Sequence, residues 1–149
     1  DQSRPEVANH VDVDLGGQVT LLGYRMDPPN AQVVRGQSVD VTLYWEARST
    51  LTEDYTVFVH LAAPSGPPRA QHDGQPRNDT YPTSYWDVGE VVLDTHTLHV
   101  PHDLAPGNYT LVAGMYVLET GARLPAFNRK GARLAGDAAP LTTVQVLER

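Results

Sequence analysis

The sequence contains no cysteine. That removes disulfide bridges, thiolate metal sites and a cysteine nucleophile together, while leaving the cellular compartment open. Basic residues are scarce: Lys and Arg number 11 against 18 Asp and Glu, for a net charge of −7. No basic run exists that would neutralise a row of phosphates, so nucleic acid is not expected as a partner. Long apolar stretches are missing too. The longest, Tyr55 to Ala63, is about half the length needed to cross a bilayer and is interrupted by His60, so no direct membrane insertion by this segment is expected. Helix signals are almost absent, since no window of a dozen residues shows a 3.6-residue apolar period free of Pro and Gly. A parallel α/β fold would lack its crossover helices.

What the sequence does have is alternation. In Ser38–Ala47, residues Val39, Val41, Leu43, Trp45 and Ala47 fall on one face and Ser38, Asp40, Thr42, Tyr44 and Glu46 on the other. That is the pattern of a strand with one face in the core and one in water. The next run puts Tyr55, Val57, Val59 and Leu61 inside and Thr56, Phe58 and His60 outside. Further runs at His10–Leu15, Gln18–Met26, Arg69–His72, Glu90–Val100, Asn108–Leu118 and Leu141–Leu147 bring the expectation to about eight strands. Turn clusters rich in Pro, Gly, Asn and Asp separate them. Glu90–Val100 is the awkward strand: neither Val92/Asp94/His96/Leu98 nor Val91/Leu93/Thr95/Thr97 is cleanly apolar, which suggests a bulge or an edge position. Asn128–Ala139 reads as a long loop before the last strand.

Short strands at regular spacing imply a sandwich or barrel. Leu104-Ala105-Pro106-Gly107-Asn108-Tyr109 has the form of a tyrosine corner, in which a Tyr hydroxyl bonds to backbone a few residues upstream. The expected fold is therefore an all-β, immunoglobulin-like antiparallel sandwich with Greek-key connections. It is a single domain over residues 1–149 with its core at about 18–147. Because the chain starts at Asp1 without a leader or lipid-attachment motif, it reads as a segment of a larger protein.

Two groups of side chains are candidates for chemistry. The loop Thr80-Tyr81-Pro82-Thr83-Ser84-Tyr85-Trp86 offers Tyr81, Tyr85 and Trp86 as flat faces for a pyranose ring, with Asp73, Asp79 and His60 as hydrogen-bonding contacts. The competing role for Trp86 is a plug over the end of the sandwich. His72, Asp94 and His96 are weak metal candidates, because their spacing matches no known ligand pattern. Carboxylates capping turns and histidines bonded at strand ends account for them more simply. Ser84, His60 and Asp94 would make a catalytic triad only on paper, and the sequence has no nucleophile elbow. Glu46 with Glu90 or Asp94 is no better supported as a glycosidase pair. Neither catalytic residues nor a cofactor are expected.

A series of motifs occurs in a fixed order: Tyr55-Thr56-Val57-Phe58-Val59-His60-Leu61, Gln71-His72-Asp73-Gly74-Gln75-Pro76, Tyr81-Pro82-Thr83-Ser84-Tyr85-Trp86, Pro106-Gly107-Asn108-Tyr109, Gly114-Met115-Tyr116 and Thr120-Gly121-Ala122-Arg123. In this the chain resembles the C-terminal β-sandwich domain of bacterial membrane glycosyltransferase-like proteins of the dolichyl-phosphate-mannose mannosyltransferase type. The resemblance implies an extracytoplasmic accessory domain, tethered through its parent protein. Its partner would be a glycan or the membrane portion of that parent. It carries over no catalytic residue. The alternative is a structural or protein-interaction module without a small ligand.

Overall fold

The computed structural model describes residues 4–149. Ten strands among them form two five-stranded sheets. The first sheet has the order β7 (Val91–His99), β4 (Ser38–Ala47), β2 (Val19–Asp27), β1 (Asn9–Leu15), β9 (Ala126–Phe127). The second has the order β3 (Gln32–Val34), β10 (Ala139–Leu147), β8 (Gly107–Tyr116), β5 (Thr56–Ala62), β6 (Ala70–Gly74). All pairings are antiparallel except β3 with β10, where the chain has left β2 and crossed to the opposite sheet. With β4 between β2 and β7, and β8 between β10 and β5, this is the immunoglobulin-type Greek key. Each of the eight expected runs is a strand. The two that the alternation did not signal, β3 and β9, have three and two residues, too short for any periodicity to register.

The core lies between the sheets. Val39, Val41, Leu43, Trp45 and Ala47 of β4 are all buried, as are Tyr55, Val57, Val59 and Leu61 beside and along β5 and Leu111, Ala113 and Met115 of β8. Trp45, fully enclosed, is the largest of these side chains. The Tyr109 hydroxyl donates to the Ala105 carbonyl at 2.5 Å, four residues upstream, completing the tyrosine corner.

The outer faces are drier than the alternation implies. Tyr44 and Thr42 of β4, and Thr56 and Phe58 of β5, are buried although they point away from the core. Tyr44 accepts a 3.0 Å hydrogen bond from Arg25, and Thr42 exchanges one of 2.8 Å with Thr95 of β7. Phe58 lies across from Gly114 of β8, whose missing side chain leaves room for the ring. The Arg123 guanidinium covers the other ring face at 4.1 Å, a cation–π contact. Arg123 is in turn fixed by a 2.8 Å bond to the Gly136 carbonyl, inside the long segment expected to be a plain loop. That segment contains a short 3-10 turn, Ala135–Asp137, and a two-pronged ion pair from Arg133 to Asp137.

The awkward strand is an edge strand. β7 pairs with β4 over nine residues without a register shift, so position and not a bulge explains its mixed pattern. Its core-facing set is Val92, Asp94, His96 and Leu98, all buried.

A Cβ at Gly114 would sit 2.5 Å from the Phe58 ring. Gly114→Ala should therefore cost about 1–3 kcal/mol of unfolding free energy through overpacking. Tyr109→Phe, which removes only the corner hydrogen bond, should cost about 1 kcal/mol. Urea unfolding of both variants beside the wild type checks the order and size of these losses.

Candidate functional site

Four connections meet at one end of the sandwich: residues 16–18 after β1, 48–55 after β4, 75–90 after β6 and 117–125 after β8. The segment from Gln75 to Glu90 dominates this end. It begins with a left-handed turn in which Arg77, Asn78 and Asp79 have φ of 57°, 56° and 64°. Three successive non-glycine residues in this region cost about 1–2 kcal/mol each. Hydrogen bonds to carboxylates offset that cost: Asp79 Oδ1 accepts the Gln75 N–H at 2.8 Å, and Asp94 Oδ1 accepts the Arg77 N–H at 2.7 Å.

Asp94 is the centre of a polar chain running from the core to the open side of the sandwich. Its carboxylate is wholly buried. Besides the Arg77 N–H, it accepts Trp45 Nε1–H at 3.2 Å and His96 Nε2–H at 2.7 Å, both on Oδ2. The other ring nitrogen of His96 lies 2.8 Å from Nδ1 of His72, which reaches in from β6 of the other sheet. His72, Asp94 and His96 are thus brought together as a hydrogen-bonded row. They form no three-ligand cluster for an ion, and the described residues contain no such group.

The sugar-platform residues divide. Trp86 is 4% exposed, packs in the core cluster and donates Nε1–H to the Tyr81 carbonyl at 3.1 Å. It is the plug of the sandwich end and has no face free for a ligand, which corrects the stacking role expected for it. Tyr81 is half-buried against Trp86, with its hydroxyl bonded to both oxygens of Glu90 at 2.9 Å. Burial, aided by Glu90, raises the Tyr81 pKa above the usual phenol value. Tyr85 alone stands out, 69% exposed. The loop is ordered by Thr83, a buried threonine whose hydroxyl donates to the Glu53 carbonyl at 2.6 Å and accepts the Tyr55 N–H at 3.0 Å.

Asp73, Asp79 and His60 occupy a different surface, the outer face of the second sheet and its margin. Asp73 and Asp79, with Thr56, Gln75, Tyr116 and Leu118, line a groove of about 420 Å³. Tyr116 donates to Asp73 Oδ2 at 2.8 Å, and His60 Nε2 lies 3.4 Å from Asp73 Oδ1. Burial, reinforced by the Asp73 carboxylate, pushes the Tyr116 pKa up to about 12. Burial also lowers the His60 and His72 pKa values, outweighing the nearby carboxylates. Tyr116 and Leu118 escaped the sequence reading as site residues. Tyr116 falls at the position opposite the Leu111/Ala113/Met115 face, the same outward set as His60, and that parity is the signal that would have found it.

The structure does not assemble the paper triad. Asp94 is enclosed between the sheets and His60 lies on the outer face of one of them, while Ser84 is engaged through its N–H with Asp54. Glu46, on the outer side of the other sheet, pairs with Arg4 and Arg48.

No protein-family model matches the chain, and no curated protein sequence does. Solved structures do. The fold is shared with the C-terminal domain of wzt. That match has a TM-score of 0.58 at 16% identity and covers 98% of this chain and 83% of the other. A Niemann-Pick type C2 protein from Japanese carpenter ant matches with a TM-score of 0.50 at 8% identity, over 99% of this chain and 98% of that one. The alkylpurine DNA glycosylase AlkC of Pseudomonas fluorescens gives a TM-score of 0.47 at 13% identity, over 88% of this chain, which spans only 31% of that protein. At these identities the likeness to the first two is one of β-sandwich architecture.

Two outcomes follow for stability. Asp94→Ala leaves the Trp45, His96 and Arg77 N–H groups unpaired in the interior and should cost about 3–5 kcal/mol, read from urea unfolding. For pH, the folded protein binds protons at His60 and His72 less readily than the unfolded chain does. Stability is therefore full above about pH 6.5 and is lost as pH falls through the lowered folded values. At the other extreme Tyr116 keeps its proton to about 12, so stability also falls as pH rises from the ordinary tyrosine range towards that value. Urea midpoints across the pH range test both limbs.

Proposed function

We propose that this chain is a non-catalytic, extracytoplasmic accessory domain of a membrane glycosyltransferase-like parent protein, and that it holds a glycan in the groove of Asp73, Asp79 and Tyr116. The observation that carries this reading is the groove itself. Two carboxylates flank a space that Tyr116 and Leu118 line with carbon. Carboxylates accept hydrogen bonds from sugar hydroxyls, and apolar side chains cover the C–H faces of the ring. Asp73 and Asp79 are two of the residues singled out from sequence for this purpose, and His60 adjoins Asp73. Tyr85 projects from the same end of the sandwich as a further stacking surface. The resemblance in ordered motifs to the membrane glycosyltransferase-like proteins supports the parent and the location. The sandwich architecture supports a domain that binds and does not catalyse.

A second reading has its own observation. Among the described residues the exposed large hydrophobic side chains are Tyr85, Val88 and Leu118, and all three lie in connections at this same end. As a protein-interaction module, the domain would use them against the membrane portion of its parent.

Titration of the purified domain against a panel of neutral and acidic oligosaccharides separates the two. The glycan reading expects a ligand whose affinity falls at least about tenfold in Asp73→Asn, a change of about 1.4 kcal/mol that keeps an acceptor for the Tyr116 hydroxyl. Absence of binding into the millimolar range would sink it and leave the interaction module in front.

A further inference from the structure

β6 and β7 are the edge strands of opposite sheets, and they pack on each other where the sandwich would otherwise stand open. The polar link across that seam is the contact between His72 and His96, whose rings meet edge-on with centroids 4.9 Å apart. We infer that these two histidines form an acid-sensitive clasp, holding β6, β7 and the Pro76–Asp79 turn together when at most one ring is cationic and releasing them when both are.

The argument is one of proton counting. Two ring nitrogens at 2.8 Å need one hydrogen between them, a donor on one side and a lone pair on the other. His96 has no freedom to turn, since it is 2% exposed and its Nε2–H is committed to Asp94. When both rings are neutral, His72 Nδ1–H donates to the His96 lone pair. One added proton is tolerated, because the pair then has three N–H groups and still shares a single hydrogen at its centre. A second added proton places N–H against N–H and two positive charges at contact distance, and the link is lost. The groups facing His72 are His96 and Asp94 from β7, Asp73 from its own strand and Asp79 from the turn. The three carboxylates favour the first proton. Burial and the second ring oppose protonation of His72 and outweigh them, and the charge of a first cationic ring opposes the second proton further.

The elements loosened are the ones that lie on either side of this contact. The Arg77 N–H hangs on Asp94, the residue behind His96, and the strained turn has no other bond into β7 among the described hydrogen bonds. Separation of the rings would loosen β6, left with its pairing to β5 alone, and the turn, left with the Arg77 bond to Asp94, while β8 and β10, inside their sheet, stay paired.

Backbone amide hydrogen exchange of the intact domain, corrected for the intrinsic pH effect, reads this directly. Between about pH 7.5 and about pH 4.5, exchange in Ala70–Gly74 and Arg77–Thr80 should accelerate about tenfold or more, with β8 and β10 unchanged. In His72→Gln the amide offers either a donor or an acceptor to His96 whatever its charge, so the acceleration should disappear. His60→Gln, which alters the other histidine held low by burial, should leave it intact. Equal acceleration in wild type and His72→Gln, its loss in His60→Gln, or no acceleration in wild type would each overturn the clasp. Should His72→Gln not fold, His72→Asn replaces it with the same expected result. Histidine Cε1–H resonances of the wild type serve as a further measurement: the exchange midpoint should track the second protonation of the His72/His96 pair, and a midpoint that tracks His60 would overturn the proposal.

Discussion

A fully buried carboxylate organises this sandwich. Asp94 is buried where an aliphatic residue would be the simpler choice, and a charge there is tolerable only because three donors surround it: an indole, an imidazole and a backbone amide. Each donor belongs to a different part of the molecule. Trp45 lies in the core, His96 leads across the seam to the other sheet, and Arg77 lies in the Pro76–Asp79 turn that opens the longest connection at its end of the sandwich. One side chain therefore sets the relation between core, sheet edge and candidate groove. An apolar isostere would pack as well, but it would fix none of these three relations.

The same economy explains why the sandwich has few exposed edges to manage. β7 is long, regular and without lysine, proline or a bulge, the kind of edge strand that invites pairing with another chain. It is shielded instead by what packs beside it, the Pro76–Asp79 turn and β6. A left-handed turn is an expensive shield. Its cost is offset by hydrogen bonds that backbone N–H groups donate to the two carboxylates, so the turn persists only while Asp79 and Asp94 hold it.

How much of this was legible beforehand depends on whether a feature leaves a periodic trace. Alternation in Ser38–Ala47 and Tyr55–Leu61 marked the core faces correctly, because every core position there is apolar. Tyr109 announced its corner through the Pro-Gly turn before it. Asp94 and His96 broke the pattern of β7, and that disruption was visible as an ambiguity. Its resolution required knowing that Trp45 and His72 lie opposite. The dry outer faces were hidden for a related reason: Phe58 fits in the room left by Gly114 and is covered by Arg123, some 65 residues away in sequence. Trp86 shows the limit of composition. An aromatic in a polar loop can point either way, and the hydrogen bonds of Thr83, which decide the path of the loop, have no sequence signature. Asp73 and Asp79 were expected beside Trp86, whereas the aromatic residue next to them is Tyr116.

Thr83 has one more effect. By fastening the Thr83–Tyr85 turn to the backbone at Glu53 and Tyr55, it orders the loop before anything touches it. Tyr85 then stands on a rigid support between the buried Thr83 and Trp86, and its ring has only two side-chain torsions left to settle. A surface built this way loses little conformational freedom on contact, so even a small area, closing over a single ring or a short apolar segment, retains most of its intrinsic attraction.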